Sequence, residues 1–152
     1  MTQDEKSILL KDLCARLPYR VKCFVPIENL TMELTGKRLN YFCFHKEEWG
    51  FDYSHEFEVV LDPLNDARNG CVIKPYLRPI SSMTEEESIE WFNYHHEIEL
   101  EEVKSSGNYL KAATLGEAAS IDWLNKNHFD YRGLIPMGLA IEVNENNNPY
   151  KD

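Results

Sequence analysis

The chain has 152 residues, 43% hydrophobic and 12% aromatic, with four cysteines and a formal net charge of −10. A chain this long buries roughly 70% of its unfolded surface and folds without a metal or disulfide staple, so disorder of the whole chain is excluded. The charge disfavours direct nucleic-acid binding, no run approaches the ~18 apolar residues of a membrane span, and the polar start Met1–Lys6 lacks the apolar core of a signal peptide, so a cytoplasmic protein is expected.

The first predicted element is a helix over about Gln3–Arg16, with Leu10, Leu13, Cys14 and Leu17 at helical spacing. Pro18 stops it, because the residue before a proline avoids the helical region. Val21, Cys23 and Val25 then alternate with Arg20, Lys22 and Phe24 as a strand does. A short second strand is expected around Leu30–Leu34, with Gly36-Lys37 as a turn. Leu39–His45 is apolar on both faces, as in a central strand. Glu47–Tyr53 reads as a loop, Glu56–Asp62 as a strand, and Pro63–Gly70 as a turn ending in Asn-Gly. Cys71–Leu77 is a further strand, which Pro75 places at an edge or frays there.

A long helix follows Thr84, whose T-x-x-E pairing with Glu87 makes a capping box. Ile89, Phe92, His96, Leu100 and Val103 recur every three or four residues and mark its expected inner face, and Ser105-Ser106-Gly107 stops it. A rival reading breaks this helix near His96 and makes Glu97–Val103 a strand. A third helix is expected from Thr114, boxed by Glu117, to about Asn127, with Ala118, Ile121 and Leu124 or Asn125 inward. Tyr131–Met137 reads as a helical turn ended by Gly138, Leu139–Val143 as a final strand, and 144–152 as a mobile polar tail. Strands followed by helices argue a single α+β domain over 1–143. An N-terminal helix leads into a small antiparallel sheet or SH3/Sm-like barrel of about five strands, then two helices and a last strand.

Three stretches resemble a known group. KPYLRPISSMTEEE (Lys74 to Glu87) and SIDWLNKNHFDYRGLIPMGLAIE (Ser120 to Glu142) are similar to runs in small uncharacterised proteins of gut Bacteroidetes, often found near prophages and mobile elements. KDLCARLPYRVK (Lys11 to Lys22) looks like their opening segment, so the resemblance covers about a third of the chain. It implies a bacterial or phage cytoplasm and an accessory role, and it attaches no activity, ligand or catalytic residue.

The chemistry-bearing residues give few sharp signals. Cys14, Cys23, Cys43 and Cys71 stand in apolar or strand contexts with no C-x-x-C spacing, which suits reduced core thiols. No G-x-S-x-G elbow or glycine-rich phosphate loop occurs. His95, Glu99 and Glu102 fall at i, i+4 and i+7 on one helix face, beside His96 and Glu97, and so offer an imidazole and two carboxylates to a divalent cation. His45, His55 or His128 would have to complete that set, and the usual H-E-x-x-H is absent. No resident cofactor or metal is expected.

Residues 84–103 hold eight glutamates and no Lys or Arg. With Trp91 and Tyr94 among them, this helix is expected to dock on a basic or nucleic-acid-binding protein through Trp91, Tyr94, Glu97, Glu99 and Glu101. The loop residues His128, Asp130, Tyr131 and Arg132, next to Phe129, form a second candidate contact because aromatic and Arg groups anchor interfaces. The competing reading is structural, with Asp130 capping a turn, Phe129 in the core and Arg132 in an ion pair. Lys74, Tyr76 and Arg78 share a strand face as a basic-aromatic strip or as stems over the core. The leading expectation is a non-catalytic protein-binding role; the alternatives are a small metal-dependent hydrolase and an Sm-like RNA-binding oligomer.

Overall fold

The computed structural model describes residues 1–26, 29–38, 41–45 and 73–151, with side chains described for 1–26, 29–36 and 73–151. The expected loop at Glu47–Tyr53, strand at Glu56–Asp62 and turn at Pro63–Gly70, together with His55 and Cys71, lie outside the described residues. The fold is α+β, and the chain divides into two compact units, residues 1–78 with 132–152 and residues 79–131.

In the first unit, helix α1 spans Gln3–Arg16, as the apolar spacing predicts. Thr2 begins it: its hydroxyl accepts from the Glu5 N–H at 3.2 Å and the Glu5 carboxylate accepts from the Thr2 N–H at 2.6 Å. Pro18 lies in a single 3-10 turn, Leu17–Tyr19, and Arg20 in the left-handed region turns the chain into the sheet. Leu9 and Leu13 of α1 are buried with Val21, Cys23, Val25, Met32, Leu34, Leu77 and Leu134, while Leu10, Cys14 and Leu17 are half-buried against this core.

The strands are β1 Lys22–Val25, β2 Leu30–Arg38, β3 Tyr41–His45, β4 Lys74–Leu77 and β5 Ile141–Glu142, in the order β3-β2-β1-β4-β5. The first four pair antiparallel, and the two-residue β5 joins β4 in parallel. The expectation of a closed SH3/Sm-like barrel is therefore corrected. Among the described residues the order is open, with β3 and β5 at its ends.

Three further expectations change. Gly36 and Lys37 are strand, not turn: β2 absorbs them by a register shift between Leu34 and Gly36, where a residue without a side chain fits a bulge. Pro75 is fully buried in a strand with neighbours on both sides, so β4 is not an edge. Pro75 stands opposite Cys23 of β1, and pairing with β5 begins beyond it, at Tyr76 and Leu77. The last strand is short because asparagine side chains end it. Asn147 Nδ2 donates to the Glu142 carbonyl, and Asn144 Oδ1 accepts from the Asn146 N–H. Residues 144–151 are held at Tyr150, whose hydroxyl donates to the Tyr76 carbonyl at 2.8 Å and accepts from the Lys22 N–H at 3.1 Å.

The second unit is a helical hairpin. Helix α2 spans Glu85–Ser106 and is capped by the Thr84–Glu87 box, so the rival break near His96 does not occur. Gly107, in the left-handed region, ends it and donates its N–H to the Val103 carbonyl. Helix α3 spans Tyr109–Lys126 and starts five residues before the expected Thr114. Asn108 caps it by accepting from the Lys111 N–H at 3.0 Å, and the Thr114 hydroxyl donates to the Leu110 carbonyl within the helix. A small core of Trp123, Leu124 and Phe129, with Met83, Trp91 and Tyr131 against it, closes one end of the hairpin.

Candidate interaction surface

Helix α2 has three faces, and the structure assigns them differently from the periodicity. The face packed on α3 carries Trp91, His95, Ile98, Glu99 and Glu102, all half-buried. Trp91 Nε1 donates to the Ser120 carbonyl at 3.2 Å, and Trp123 Nε1 donates in the other direction to Glu90 Oε1 at 3.3 Å. Lys111 Nζ lies 2.6 Å from Glu102 Oε1. That ammonium, followed by the Ser106 hydroxyl, holds the Glu102 carboxyl below the usual carboxylate range.

Glu99 lies across Gly116 of α3. A side-chain carbon at Gly116 would stand 2.9 Å from the Glu99 Cδ and 3.0 Å from its Oε1, so the absence of one lets the carboxylate cross the helix. There Glu99 Oε1 meets His95 Nε2 at 3.4 Å.

Four of the five residues expected to face inward face solvent, and the fifth, Val103, is half-buried. Ile89 is 54% exposed, Phe92 64% and Leu100 43%. His96 is exposed as well and stacks on Phe92, with ring centroids 5.8 Å apart and planes 17° apart. The reason is the rotation of α2 about its axis. Two tryptophan N–H bonds and the Lys111–Glu102 pair hold one set of residues against α3, and the row at Ile89 is turned well away from that set. On the third face Glu86, Glu97 and Glu101 are exposed.

The sequence-predicted site residues therefore separate. Tyr94, Glu97 and Glu101 are exposed, whereas Trp91 and Glu99 belong to the α2–α3 contact. Ile89, Phe92 and Leu100 were missed as surface residues; their signal was an apolar row that does not contain Trp91, the largest apolar side chain of the helix. A cavity of about 300 Å³ lies next to this row, lined by Trp91, Phe92, His95 and Ser120.

The loop after α3 is built as a helix terminus. The Phe129 N–H donates to the Leu124 carbonyl at 2.9 Å and the His128 N–H to the Asn125 carbonyl at 3.1 Å. With His128 in the left-handed region (φ 59°) and Phe129 packed on Leu124, this is a Schellman cap with histidine where glycine is usual. Phe129 and Asp130 are buried, and Tyr131 and Arg132 are half-buried. Arg132 Nε lies 3.4 Å from Asp12 Oδ1 in the first unit's core. Of the four expected contact residues in this loop, His128 ends α3, Tyr131 packs on the small core and Arg132 faces Asp12, while Asp130 is buried.

Two buried polar groups had not been read from the sequence. Asp12 and Arg16, one helical turn apart on α1, are fully buried, with Arg16 Nε 2.7 Å from Asp12 Oδ2 and Nη2 3.1 Å from Oδ1. Burial first, and then the Asp12 charge, pushes the neighbouring Cys23 thiol well above its ordinary range. Cys14 and Cys23 are free thiols. In the first unit, Lys74, Tyr76 and Arg78 are half-buried, and the Tyr76 hydroxyl is 3.1 Å from that of Thr31.

Among the described residues no group of three His, Cys, Asp or Glu stands in metal-holding geometry, and Glu102, one of the three expected ligands, is engaged by Lys111. No described helix is long and apolar enough to cross a membrane. Comparison with profiles of known protein families, with curated proteins and with solved structures gives no match.

Proposed function

We propose that this chain is a non-catalytic accessory protein that binds another, basic protein through α2, in the bacterial or phage setting that its sequence resemblance implies. The observation that carries this reading is the solvent-facing row Ile89, Phe92 and Leu100, with the exposed Glu86 and Glu97 along one side of it and Glu101 farther round the same acidic face. Single exposed apolar residues are ordinary, but an aligned row on one helix, next to a cavity, is how helices present contact surfaces. The acidic border selects cationic partners and speeds encounter with them. The contact set moves accordingly from Trp91 and Glu99 to Phe92, Ile89, Leu100, Glu97 and Glu101, with Tyr94 at its margin. Affinity capture with mass spectrometry, using the tagged full chain and a Glu86→Lys/Glu97→Lys/Glu101→Lys variant, tests the reading. The expected result is a basic protein retained by the wild type, released by raised salt and absent from the variant. A partner held equally by both, or insensitive to salt, would refute it.

A further inference from the structure

We infer that the cavity between α2 and α3 is an anchor pocket for one bulky apolar side chain on a basic amphipathic helix of the partner protein. This rests on the reading of α2 as a docking helix and adds where the partner is held and by what chemistry. Three of the four cavity walls, Trp91, Phe92 and His95, are rings, and the fourth, Ser120, is short. An apolar group entering such a concavity is contacted on several sides, which is the setting in which one side chain dominates an interface. Phe92 belongs both to the cavity and to the exposed row, so the pocket opens onto the surface that needs covering. From Ile89 to Leu100 the row rises through eleven residue steps, roughly 16 Å at 1.5 Å per residue, about three helical turns. A partner helix of that length seats one anchor in the cavity, covers Ile89 with a neighbour three or four positions away, and covers Leu100 with one about seven positions away on the other side.

Charge decides whose helix it is. Helix α2 carries eight glutamates and one lysine. A second copy of this chain would present the same glutamates, so pairing two α2 helices sets carboxylates against carboxylates. A partner with Lys or Arg along the flank of its apolar stripe that faces Glu86 and Glu97 complements the border.

The test titrates the full chain into a fluorescent synthetic helix with Leu along one face, one central Trp and Lys along one flank, read by anisotropy at two salt concentrations. Companion peptides replace the Trp with Ala or every Lys with Glu. Two protein variants probe the cavity: Ser120→Met, which fills it, and Phe92→Ser, which removes a wall at a site exposed enough to leave the fold intact. Circular dichroism and urea midpoints check both. Loss of the Trp is expected to weaken binding about tenfold or more. Ser120→Met causes a similar loss, the two losses do not add, and the Glu peptide does not bind. If neither Trp removal nor Ser120→Met changes affinity while Glu86→Lys/Glu97→Lys/Glu101→Lys abolishes it, the anchor pocket is overturned and the docking helix stands. If the charge reversal also has no effect, both fail. Sedimentation showing self-association broken by Phe92→Ser would assign the face to a second copy and overturn the inference.

Discussion

Asp12→Asn is expected to be among the most damaging single substitutions in this protein. The Asp12 carboxylate is fully buried and gives two oxygens to the Arg16 guanidinium, at 2.7 and 3.1 Å, with Arg132 Nε at 3.4 Å. Removing its charge leaves a fully buried guanidinium without that counter-charge, a change that costs about 3–5 kcal/mol in buried pairs. Domains of this size unfold with roughly 5–15 kcal/mol, so the loss is a large share of the total. Removing both charges should cost far less, because a buried pair replaced by packed apolar groups is about neutral. Urea unfolding followed by far-UV circular dichroism measures Asp12→Asn against Asp12→Leu/Arg16→Leu. The reasoning is refuted if Asp12→Asn costs under about 1 kcal/mol, or if the double variant is the less stable of the two.

Three further outcomes follow from the hairpin. Gly116→Ala in an Glu99→Ala background should gain about 1 kcal/mol of helix stability, whereas in the wild type overpacking against Glu99 offsets that gain by about 1–3 kcal/mol; equal effects in the two backgrounds by urea unfolding would remove the proposed crossing. The Glu102 carboxyl is held low by Lys111, so its ion pair contributes stability above the ordinary carboxylate range and loses it as pH falls through the depressed folded value. The stability difference between wild type and Lys111→Met should thus be present at neutral pH and vanish in strong acid, as read by thermal melts across pH. At His128, φ 59° favours glycine, so His128→Gly should be about 1–2 kcal/mol more stable than His128→Val, both lacking the imidazole; the reverse order would show that the cap geometry is not what the position requires.

What was legible in the sequence was local. The bounds of α1, the capping box at Thr84 and the stop at Gly107 were readable because a cap or a left-handed glycine acts within one turn. The same locality misled at Thr114, where a second T-x-x-E pattern drew the start of α3 away from Asn108. One weaker signal went unread. Asp12 and Arg16 stand at i and i+4, a spacing that places both on one face, but spacing does not say that the face is buried.

Periodicity shows that Ile89, Phe92, His96 and Leu100 share a face of α2, and the structure keeps them together. It does not show which face the neighbouring helix covers. That was decided by contacts distant in the chain: Trp91 to the Ser120 carbonyl, Trp123 to Glu90, and Glu102 to Lys111. Likewise the polar composition of 144–152 says nothing of Tyr150, whose hydroxyl meets Lys22 and Tyr76, 128 and 74 positions away. Element identity and charge follow from forces between near neighbours. Which apolar row is left for a partner depends on packing between segments, and only the assembled hairpin determines it.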